Sequence, residues 1–364
     1  MYLEEIKIIN FKNYKSENIS FSEKINFIRG KNGSGKTNLL DAIYYLSFTK
    51  SAFNKLELNN LKENEDFFSI KGRYRHQNNT IEVDCRYKKN DKKKILYNQS
   101  QYEKISEHLG KIPAVLIIPN DSDLIRNSSY YRRRFFDIII SQSENKYLQK
   151  LILYNKIIKT RNLVLKNFKL NNKVDKNQIE PYDKLLIELN LYISKKRKIY
   201  INEFNNYFTK TYNFIGKDNH EGNIVYNTKI KDSSEINMFN RSLDQDVLSG
   251  KTSLGIHKDD FLFYLDNKLI KNFASQGEQK TFLIGLKMTE YKILHKKLKI
   301  KPIMMLDDIF DKLDHQRISD LMKYIINKIH GQIFITDALE DRLKIIKNNN
   351  FKMKIITVAY GKII

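Results

Sequence analysis

Hydrophobic and polar residues alternate over short stretches in the first 125 residues, which predicts strands and short helices. An apolar run at 25–29 leads into a glycine-rich loop, and residues 36–47 then place leucine and isoleucine on one helical face. Pro113 precedes the apolar run 114–118, which predicts a buried strand. Three segments separated by polar turns predict an antiparallel meander: 68–75, 81–88 and 93–98.

The middle of the chain changes to a helical period. Apolar residues recur at helical spacing from Tyr147 to about Phe168 and again from Leu185 to Phe208, on either side of a polar stretch at 171–179. This pattern predicts two long helices in an antiparallel hairpin. The hairpin is either an ordinary helical subdomain or a protruding arm, and the pattern leaves both open.

Short apolar runs return after about Gly250, at 303–306 and 333–335, and they are typical of buried parallel strands. Each run follows a helix-like stretch, as in α/β proteins. We therefore predict one α/β head built from both ends of the sequence, with a helical insertion as a second lobe. The predicted boundaries are 1–125 and 250–364 for the head and 126–249 for the insertion.

Composition narrows the class of protein. Of the 364 residues 41% are hydrophobic, which is enough for a substantial core. No run of 18 apolar residues occurs, and the first residues lack the pattern of a secretory signal. The single cysteine, Cys85, excludes an internal disulfide framework. We expect a cytoplasmic protein that does not engage a membrane.

The formal net charge of +23 would ordinarily suggest a nucleic-acid partner. However, the chain has 52 lysines and only 13 arginines, together with abundant asparagine and isoleucine, which is the profile of an A+T-rich coding sequence. Arginine is therefore the more informative cation here. The one dense cluster is Arg132, Arg133 and Arg134, which either contacts DNA phosphates or pairs with acidic residues of the protein itself.

A phosphate-binding loop is the most specific motif, because residues 30–37 match G-x-x-x-x-G-K-[ST] at every fixed position. Glycines let backbone N–H groups curl around phosphate, and the next helix adds its positive end. Lys36 would supply charge to the β- and γ-phosphates of ATP, and the Thr37 hydroxyl would bind Mg²⁺. The candidate nucleotide-binding residues are Gly30, Lys31, Asn32, Gly33, Ser34, Gly35, Lys36, Thr37 and Asn38.

Paired carboxylates follow the apolar run at 303–306. Because ligands of open α/β sheets lie at the carboxyl ends of the strands, Asp307 and Asp308 are expected to face the phosphate loop. Asp307 would hold Mg²⁺, and Asp308 would polarise the attacking water, with Lys36 as the second catalytic candidate. Aspartate is one methylene shorter than the glutamate common in fast ATPases of this type, which favours slow turnover and a switch over a motor.

A third motif, residues 274–280, reads Ala-Ser-Gln-Gly-Glu-Gln-Lys and opens an amphipathic stretch. Ser275 is placed as an N-cap, and Glu278 three residues later completes a capping box. Gly277 leaves room for an approaching phosphate, so Ser275, Gln276 and Gly277 are candidate nucleotide contacts. The alternative is a helix cap with no ligand.

Together these motifs resemble the ABC-type ATPase head of SMC-like proteins, and in detail the bacterial RecF family. The resemblance covers the whole chain in order and rests on these segments: Phe11–Tyr14, Gly30–Ile43, Pro119 with Arg132–Phe135, Gly255–Asp260, Ser275–Lys280 and Leu306–Asp314. Transport-type ABC domains lack the Ser-Gln-Gly form and the arginine run. This chain departs from the family in having Asn127 and Ser129 where glycine and proline are frequent.

The resemblance implies an α/β fold, an ABC-type (SMC-like) P-loop ATPase head, and an ATP-dependent homodimer in which Ser275 of one subunit completes the ATP site of the other. It also implies a weak, DNA-stimulated ATPase that binds single-stranded, gapped or junction DNA and acts with RecR and RecO to load the RecA recombinase. The segment Pro119–Asp121 would be a nucleotide-sensing lid. Asp337 stands where related heads usually have a γ-phosphate-sensing histidine.

Two other functions and one further candidate site are also considered. An SMC-like structural DNA clamp needs arms of hundreds of residues, whereas only about 120 lie between 126 and 249. A transport-coupled ATPase subunit is disfavoured by the absence of membrane-coupling features and by the positive charge. His257 beside Asp259 and Asp260 is either a metal or acid–base site or a hydrogen-bonded scaffold.

Overall fold

The computed structural model describes residues 1–216, 220–230, 235–309, 327–338 and 353–364, together with residues 322, 324 and 325. The chain divides into two compact units: Met1–Asp121 with Ile284–Ile364, and Ser122–Leu283. Within these described parts, every helix is too short or too polar to cross a membrane.

The described strands, in chain order, are β1 (Tyr2–Phe11), β2 (Tyr14–Ser20), β3 (Ile25–Arg29), β4 (Phe67–His76), β5 (Asn79–Lys88), β6 (Lys94–Tyr97), β7 (Ser100–Gln101), β8 (Ala114–Ile117), β9 (Gly222–Asn227), β10 (Asp260–Leu265), β11 (Lys268–Leu269), β12 (Ile303–Asp307), β13 (Ile333–Asp337), β14 (Met353–Ala359) and β15 (Lys362–Ile363). The described helices are α1 (Lys36–Phe48), α2 (Asp123–Arg126), α3 (Ser129–Ser143), α4 (Asn145–Asn171), α5 (Lys176–Gly216), α6 (Glu235–Ser249), α7 (Ile270–Phe273) and α8 (Gln276–Leu298).

A parallel sheet forms the centre of the first unit, in the order β15-β14-β3-β13-β12-β8. All of its neighbouring strands run parallel except β15, which pairs antiparallel with β14 at the edge. Strands β8, β12 and β13 are buried along their whole length, as their continuous apolar sequences predict. The carboxyl ends of β3, β12 and β13 therefore meet at one edge of the sheet, where the phosphate loop begins.

A second sheet of the first unit is antiparallel, in the order β2-β1-β4-β5-β6-β7, and contains the predicted meander. Helix α1 packs against both sheets, so eleven of its thirteen residues are buried. The sequence predicted one apolar face for this helix, whereas Tyr44 and Tyr45 are buried as well. Gly72 on β4 permits the close approach, since a Cβ there would lie 2.5 Å from Cδ1 of Leu46.

The second unit contains the helical hairpin and a small sheet. Helices α4 and α5 pack together, and the three-stranded antiparallel sheet β11-β10-β9 packs against α3 and α5. Near the hairpin tip, Leu165 and Phe168 of α4 and Ile179 of α5 form a buried cluster with Leu243 of α6. The tip is therefore packed within the unit, which favours the ordinary helical subdomain over the protruding arm.

The division of the chain differs from the predicted one at both boundaries. The insertion was expected at 126–249, whereas the second compact unit runs from Ser122 to Leu283. Residues 250–283, expected in the head, belong to the second unit because β10 pairs antiparallel with β9. The predicted polar stretch 171–179 is also partly helical, since α5 begins at Lys176.

Two buried arginines connect the elements of the second unit. Arg161 on α4 is fully buried and donates to Asp183, at 2.5 Å, and to Asp246, at 2.7 Å. Arg197 on α5 is 2% exposed and pairs with Asp137 at 2.9 Å and Asp259 at 3.1 Å. A third bond runs from its Nη1 to a backbone carbonyl at position 256. Because each pair joins residues far apart in sequence, these networks fix how the helices meet.

Candidate functional site

The phosphate loop has the glycine geometry that its sequence predicts. Gly35 ends the loop with φ of 117°, a left-handed conformation that residues with a Cβ rarely adopt. Gly30 begins it so close to β14 that a Cβ would lie 2.2 Å from the carbonyl oxygen of Val358. Lys31, Asn32 and Gly33 are exposed between these two points. The loop is therefore open on its outer side and tightly packed at its base.

Lys36 is directed back over the loop that precedes it. Its Nζ donates to the carbonyl oxygens of Gly30, at 2.8 Å, and Lys31, at 3.1 Å. Burial lowers the pKa of Lys36 below its ordinary value, and three nearby carboxylates at the ends of β12 and β13 oppose this shift. The ammonium group thus lies between the loop and a cluster of acids, where the negative charge of phosphate would complement it.

The structure brings together the two residues predicted to bind Mg²⁺. The Thr37 hydroxyl donates to both carboxylate oxygens of Asp307, each at 3.0 Å, and Thr336 donates to Oδ1 at 2.7 Å. Asp307 is 4% exposed, and burial raises its pKa, with the two threonine hydrogen bonds opposing the shift. A hydroxyl and a carboxylate in contact beside a phosphate loop suit Mg²⁺, which prefers oxygen ligands and completes its shell with water and phosphate.

Asp308 and Asp337 lie at the same edge of the sheet. Asp308 is partly exposed with φ of 47°, and its N–H donates to the Thr336 hydroxyl at 3.1 Å. This left-handed turn, which aspartate tolerates better than most residues, takes its side chain out of the buried strand. Asp337, at the end of β13, is 1% exposed. The role of Asp308 in polarising water stays a prediction, and a carboxylate at Asp337 would repel phosphate unless a metal ion or water lay between them.

Two residues that hold the phosphate loop in place were given no role by the sequence. Asn13 Nδ2 donates to the carbonyl oxygen of Ser34 at 3.1 Å, and the buried Tyr14 hydroxyl donates to that of Gly35 at 2.9 Å. Asn38, predicted to contact nucleotide, donates to Asn13 Oδ1 at 2.8 Å. By engaging loop carbonyls, the turn between β1 and β2 leaves the loop N–H groups oriented for phosphate. The Phe-Lys-Asn-Tyr segment was noticed in the sequence, but only the fold shows what it contacts.

Replacing Tyr14 with phenylalanine is expected to weaken ATP binding about fivefold, because a buried hydrogen bond of about 1 kcal/mol holds the loop. The ring remains, so the core should stay packed. Titration with a fluorescent ATP analogue measures the effect, and Tyr87→Phe on β5 of the antiparallel sheet is the matched control. Equal affinities for the two variants would show that Tyr14 does not organise the loop.

The serine-headed segment lies in the second unit. Helix α8 begins at Gln276, directly after Ser275, and the predicted capping box is confirmed. Glu278 N donates to Ser275 Oγ at 3.3 Å, and Ser275 N donates to Glu278 Oε2 at 2.7 Å. Ser275 and Gln276 are exposed and Gly277 is partly exposed, so this helix start is accessible on the unit's surface.

An arginine outside the predicted set supports the same helix start. Arg126 Nε donates to Gln279 Oε1 at 2.9 Å, and Gln279 Nε2 donates to the carbonyl oxygen of Ala274 at 2.8 Å. The side chain of Gln279 thus bridges α2 and the segment before α8. In the sequence, only the scarcity of arginine in this chain pointed to Arg126.

The arginine cluster is largely engaged within the protein. Arg132 is 7% exposed and donates bidentately to Asp260, at 2.8 and 2.9 Å. Arg133 is partly buried and donates to the carbonyl oxygen of Asp259 at 2.6 Å. The contact of Arg132 corresponds to the internal-pairing alternative, whereas Arg133 donates to a backbone carbonyl and to the Ser129 hydroxyl rather than to a carboxylate. Arg134 is partly exposed and remains the candidate DNA contact of the three.

His257 has the surroundings of a hydrogen-bonded scaffold. Its Nδ1 lies 2.7 Å from the Tyr154 hydroxyl, and its Nε2 lies 3.0 Å from the carbonyl oxygen of Thr252. Burial lowers its pKa to about 4, so the ring is neutral at physiological pH. In the part of the chain that the structure describes, no cluster of three or more His, Cys, Asp or Glu side chains is suited to holding a metal ion.

Two further segments belong to the family resemblance. Pro119–Ser122 forms a 3₁₀ turn, in which Asp121 Oδ2 accepts the N–H of Ile118 at 3.0 Å. Its role as a nucleotide-sensing lid stays a prediction. Leu313 and Asp314, part of the resemblance, lie outside the described residues, as do residues 310–312.

Comparison with known proteins decides the family. Residues 2–358 match the model of the RecF/RecN/SMC N-terminal domain. The chain is 40% identical to the DNA replication and repair protein RecF of Cytophaga hutchinsonii, covering 100% of this chain and 96% of that protein. It is 39% identical to RecF of Flavobacterium johnsoniae over 98% of this chain and all of the relative. The chain belongs to the RecF family. The resemblance drawn from the motifs is confirmed, and both of these relatives are named DNA replication and repair proteins.

Solved structures agree with this assignment. The recombination mediator protein RecF of the RecFOR pathway, solved with ATP, is 29% identical with a TM-score of 0.89, covering 100% of this chain and 97% of that one. An SMC head bound to the C-terminal winged-helix domain of ScpA is 14% identical with a TM-score of 0.58, which shows a shared fold. The predicted fold class, an ABC-type, SMC-like P-loop head, is thereby confirmed.

Proposed function

We propose that this member of the RecF family is an ATP-dependent DNA-binding protein of recombinational repair and replication-fork maintenance. The observation that carries the proposal is the contact between Thr37 and Asp307 beside a complete phosphate loop, in a chain whose relative RecF has been solved with ATP. Phosphate loop, hydroxyl and carboxylate are the parts that a Mg²⁺–ATP site requires.

ATP would lie with its phosphates against the N–H groups of residues 30–38 and the positive end of α1. Lys36 would exchange its two carbonyl contacts for the β- and γ-phosphates, and its position over the loop means that little movement is required. Thr37 and Asp307 would hold Mg²⁺, which would neutralise phosphate charge. Asp308 would orient water for a slow hydrolysis, because its carboxylate reaches less far than that of a glutamate.

Ser275, Gln276 and Gly277 would complete the nucleotide site of a second copy of the chain. Support comes from their exposure at the start of a 23-residue helix, where free N–H groups and the helix dipole attract anions. Two nucleotides would then be bound between two subunits related by a twofold axis. ATP binding would drive dimerisation, and hydrolysis would release it.

DNA, whether single-stranded, gapped or at a junction, would be held by the dimer through its phosphates, so that binding shows little sequence preference. The family relationship supports cooperation with RecR, and with RecO and RecA downstream, because the solved relatives are described as recombination mediators of the RecFOR pathway. An SMC-like clamp is the weaker alternative. Its arms would have to reach far from the head, whereas the hairpin tip here packs on α6.

The proposal is tested by titrating gapped, single-stranded and duplex DNA with and without ATP at several salt concentrations while oligomeric state is followed by light scattering. We expect ATP to promote dimers and DNA binding together, with the logarithm of the affinity falling linearly with the logarithm of the salt concentration. Tight binding by monomers without ATP would contradict the switch.

A further inference from the structure

A cavity of about 680 Å³ lies in the second unit, between the end of β9, helix α6 and the turn that precedes β10. The turn includes Gly255, Lys258 and Asp259, which belong to the Gly-Ile-His-Lys-Asp-Asp segment noticed in the sequence. None of the residues that line it belongs to the predicted nucleotide site. Its size is that of sites for small organic molecules or single nucleotides.

Positive charge dominates the lining. Lys229, Arg241 and Lys258 all line the cavity and are exposed, and within the described residues none of the three has an ion pair. Hydroxyl and amide side chains of five further residues, among them Thr228 and Ser253, add hydrogen-bonding groups. Clefts lined by one sign of charge concentrate ligands of the opposite sign.

The one carboxylate in the lining does not cancel this charge. Asp259 is 3% exposed and pairs with Arg197 at 3.1 Å, and it also accepts a hydrogen bond from the Tyr226 hydroxyl. Arg197 therefore balances the charge of Asp259, and the three exposed cations can attract a ligand at the opening of the cavity. An anion with several oxygens therefore fits this cavity better than a cation or an apolar group.

We propose that the cavity binds a phosphate-bearing unit of a single DNA strand. The inference rests on the proposed DNA binding and adds a site for it. A flexible strand presents one nucleotide at a time to a concave site, whereas the stiff backbone of a duplex does not enter one. Cationic grooves that follow the backbone are the usual means of holding single strands. Lys229, Arg241 and Lys258 would contact the phosphate, and the hydroxyl and amide groups would contact the sugar and base.

The test uses a double variant that combines Arg241→Glu and Lys258→Glu, and a milder single variant, Lys258→Gln. Both are compared with the wild-type chain in the presence of ATP. Lys94→Glu on β6 of the first unit is a charge-reversal control at a residue that does not line the cavity, and Lys94 is 54% exposed. Binding of a labelled single-stranded oligonucleotide is measured by fluorescence anisotropy at several salt concentrations. Circular dichroism and ATP binding confirm that each variant is folded.

We expect the double variant to bind the oligonucleotide about tenfold more weakly than the control at moderate salt. The slope of log binding constant against log salt concentration should be shallower by about 1.4, because each lost phosphate contact of a single strand contributes roughly 0.7. Lys258→Gln should show about half of that change in slope. Variants that bind like Lys94→Glu would overturn the site while leaving DNA binding intact. If the wild-type chain with ATP bound no DNA, the proposed function would fail as well.

A second arm separates a DNA phosphate from a small anion. Inorganic phosphate is titrated into the wild-type chain and the double variant without DNA, and the melting temperature is followed. If phosphate stabilises only the wild type while both bind the oligonucleotide equally, the cavity serves a small phosphate compound and the DNA assignment is wrong. Weak stabilisation by phosphate together with the loss of DNA affinity in the double variant supports the proposal.

Discussion

Ser275→Arg is expected to abolish ATP-dependent dimers while the monomer keeps its affinity for ATP. Ser275 is exposed, caps α8 and is not part of the phosphate loop at 30–37, so a large cation at 275 replaces none of the residues expected to bind ATP within one chain. In the partner's site, its side chain would fill the space that the γ-phosphate needs. Sedimentation velocity with ATP measures the dimer, and a fluorescent ATP analogue measures binding.

Ser275→Thr is the matched control, because threonine retains both the hydroxyl and the N-cap preference. It should dimerise within a few-fold of the wild type. Loss of the cap in Ser275→Arg costs about 1 kcal/mol locally, too little to unfold the chain. Dimers that still formed with ATP in Ser275→Arg would refute the shared site, since no serine-headed helix would then be needed to complete it.

Arg197→Met is expected to lower the free energy of unfolding of the second unit by about 3–5 kcal/mol, the usual cost of leaving a buried charge without its partner. Methionine fills part of the volume but leaves Asp137 and Asp259 without their guanidinium. Burial already raises the pKa of Asp259, and Arg197 opposes that shift. Urea unfolding at pH 7, followed by circular dichroism, measures the difference.

Arg73→Met provides the comparison for this experiment. Arg73 is 46% exposed and pairs with Glu4 and Glu5 on the antiparallel sheet, where such pairs contribute less than about 1 kcal/mol. A loss below 1 kcal/mol for Arg197→Met would mean that the unit relaxes around the two carboxylates or that water reaches them. In that case the arginine network would not be what fixes the helices.

The chemistry-bearing parts of the site were predicted from sequence because each motif is local. The phosphate loop, the acids after β12 and the capped start of α8 each depend on residues within ten positions of one another. Strand types and the parallel sheet followed from continuous apolar runs. Helix α1 was predicted to have one buried face, and its second face is covered only because the antiparallel sheet closes over it.

The contacts that the sequence left open or did not indicate are long-range. Tyr14 holds the carbonyl of Gly35, and Arg132 pairs with a residue 128 positions away. No periodicity encodes such partners, so an exposed DNA contact and an internal pair look alike in the sequence. The compact unit extends beyond the predicted boundary at 249 for the same reason, because β10 pairs with a strand that follows the hairpin.

The strand that carries the phosphate loop has consequences for synthesis. Strand β3 lies between β13 and β14, so both of its neighbours in the sheet come from roughly 300 residues later in the chain. At 5–20 residues per second, a ribosome needs roughly 15–60 s to supply them. Until then β3 has two unpaired edges, although residues 122–283 have already been synthesised in full. We therefore expect chaperones to bind the newborn N-terminal segment during this interval.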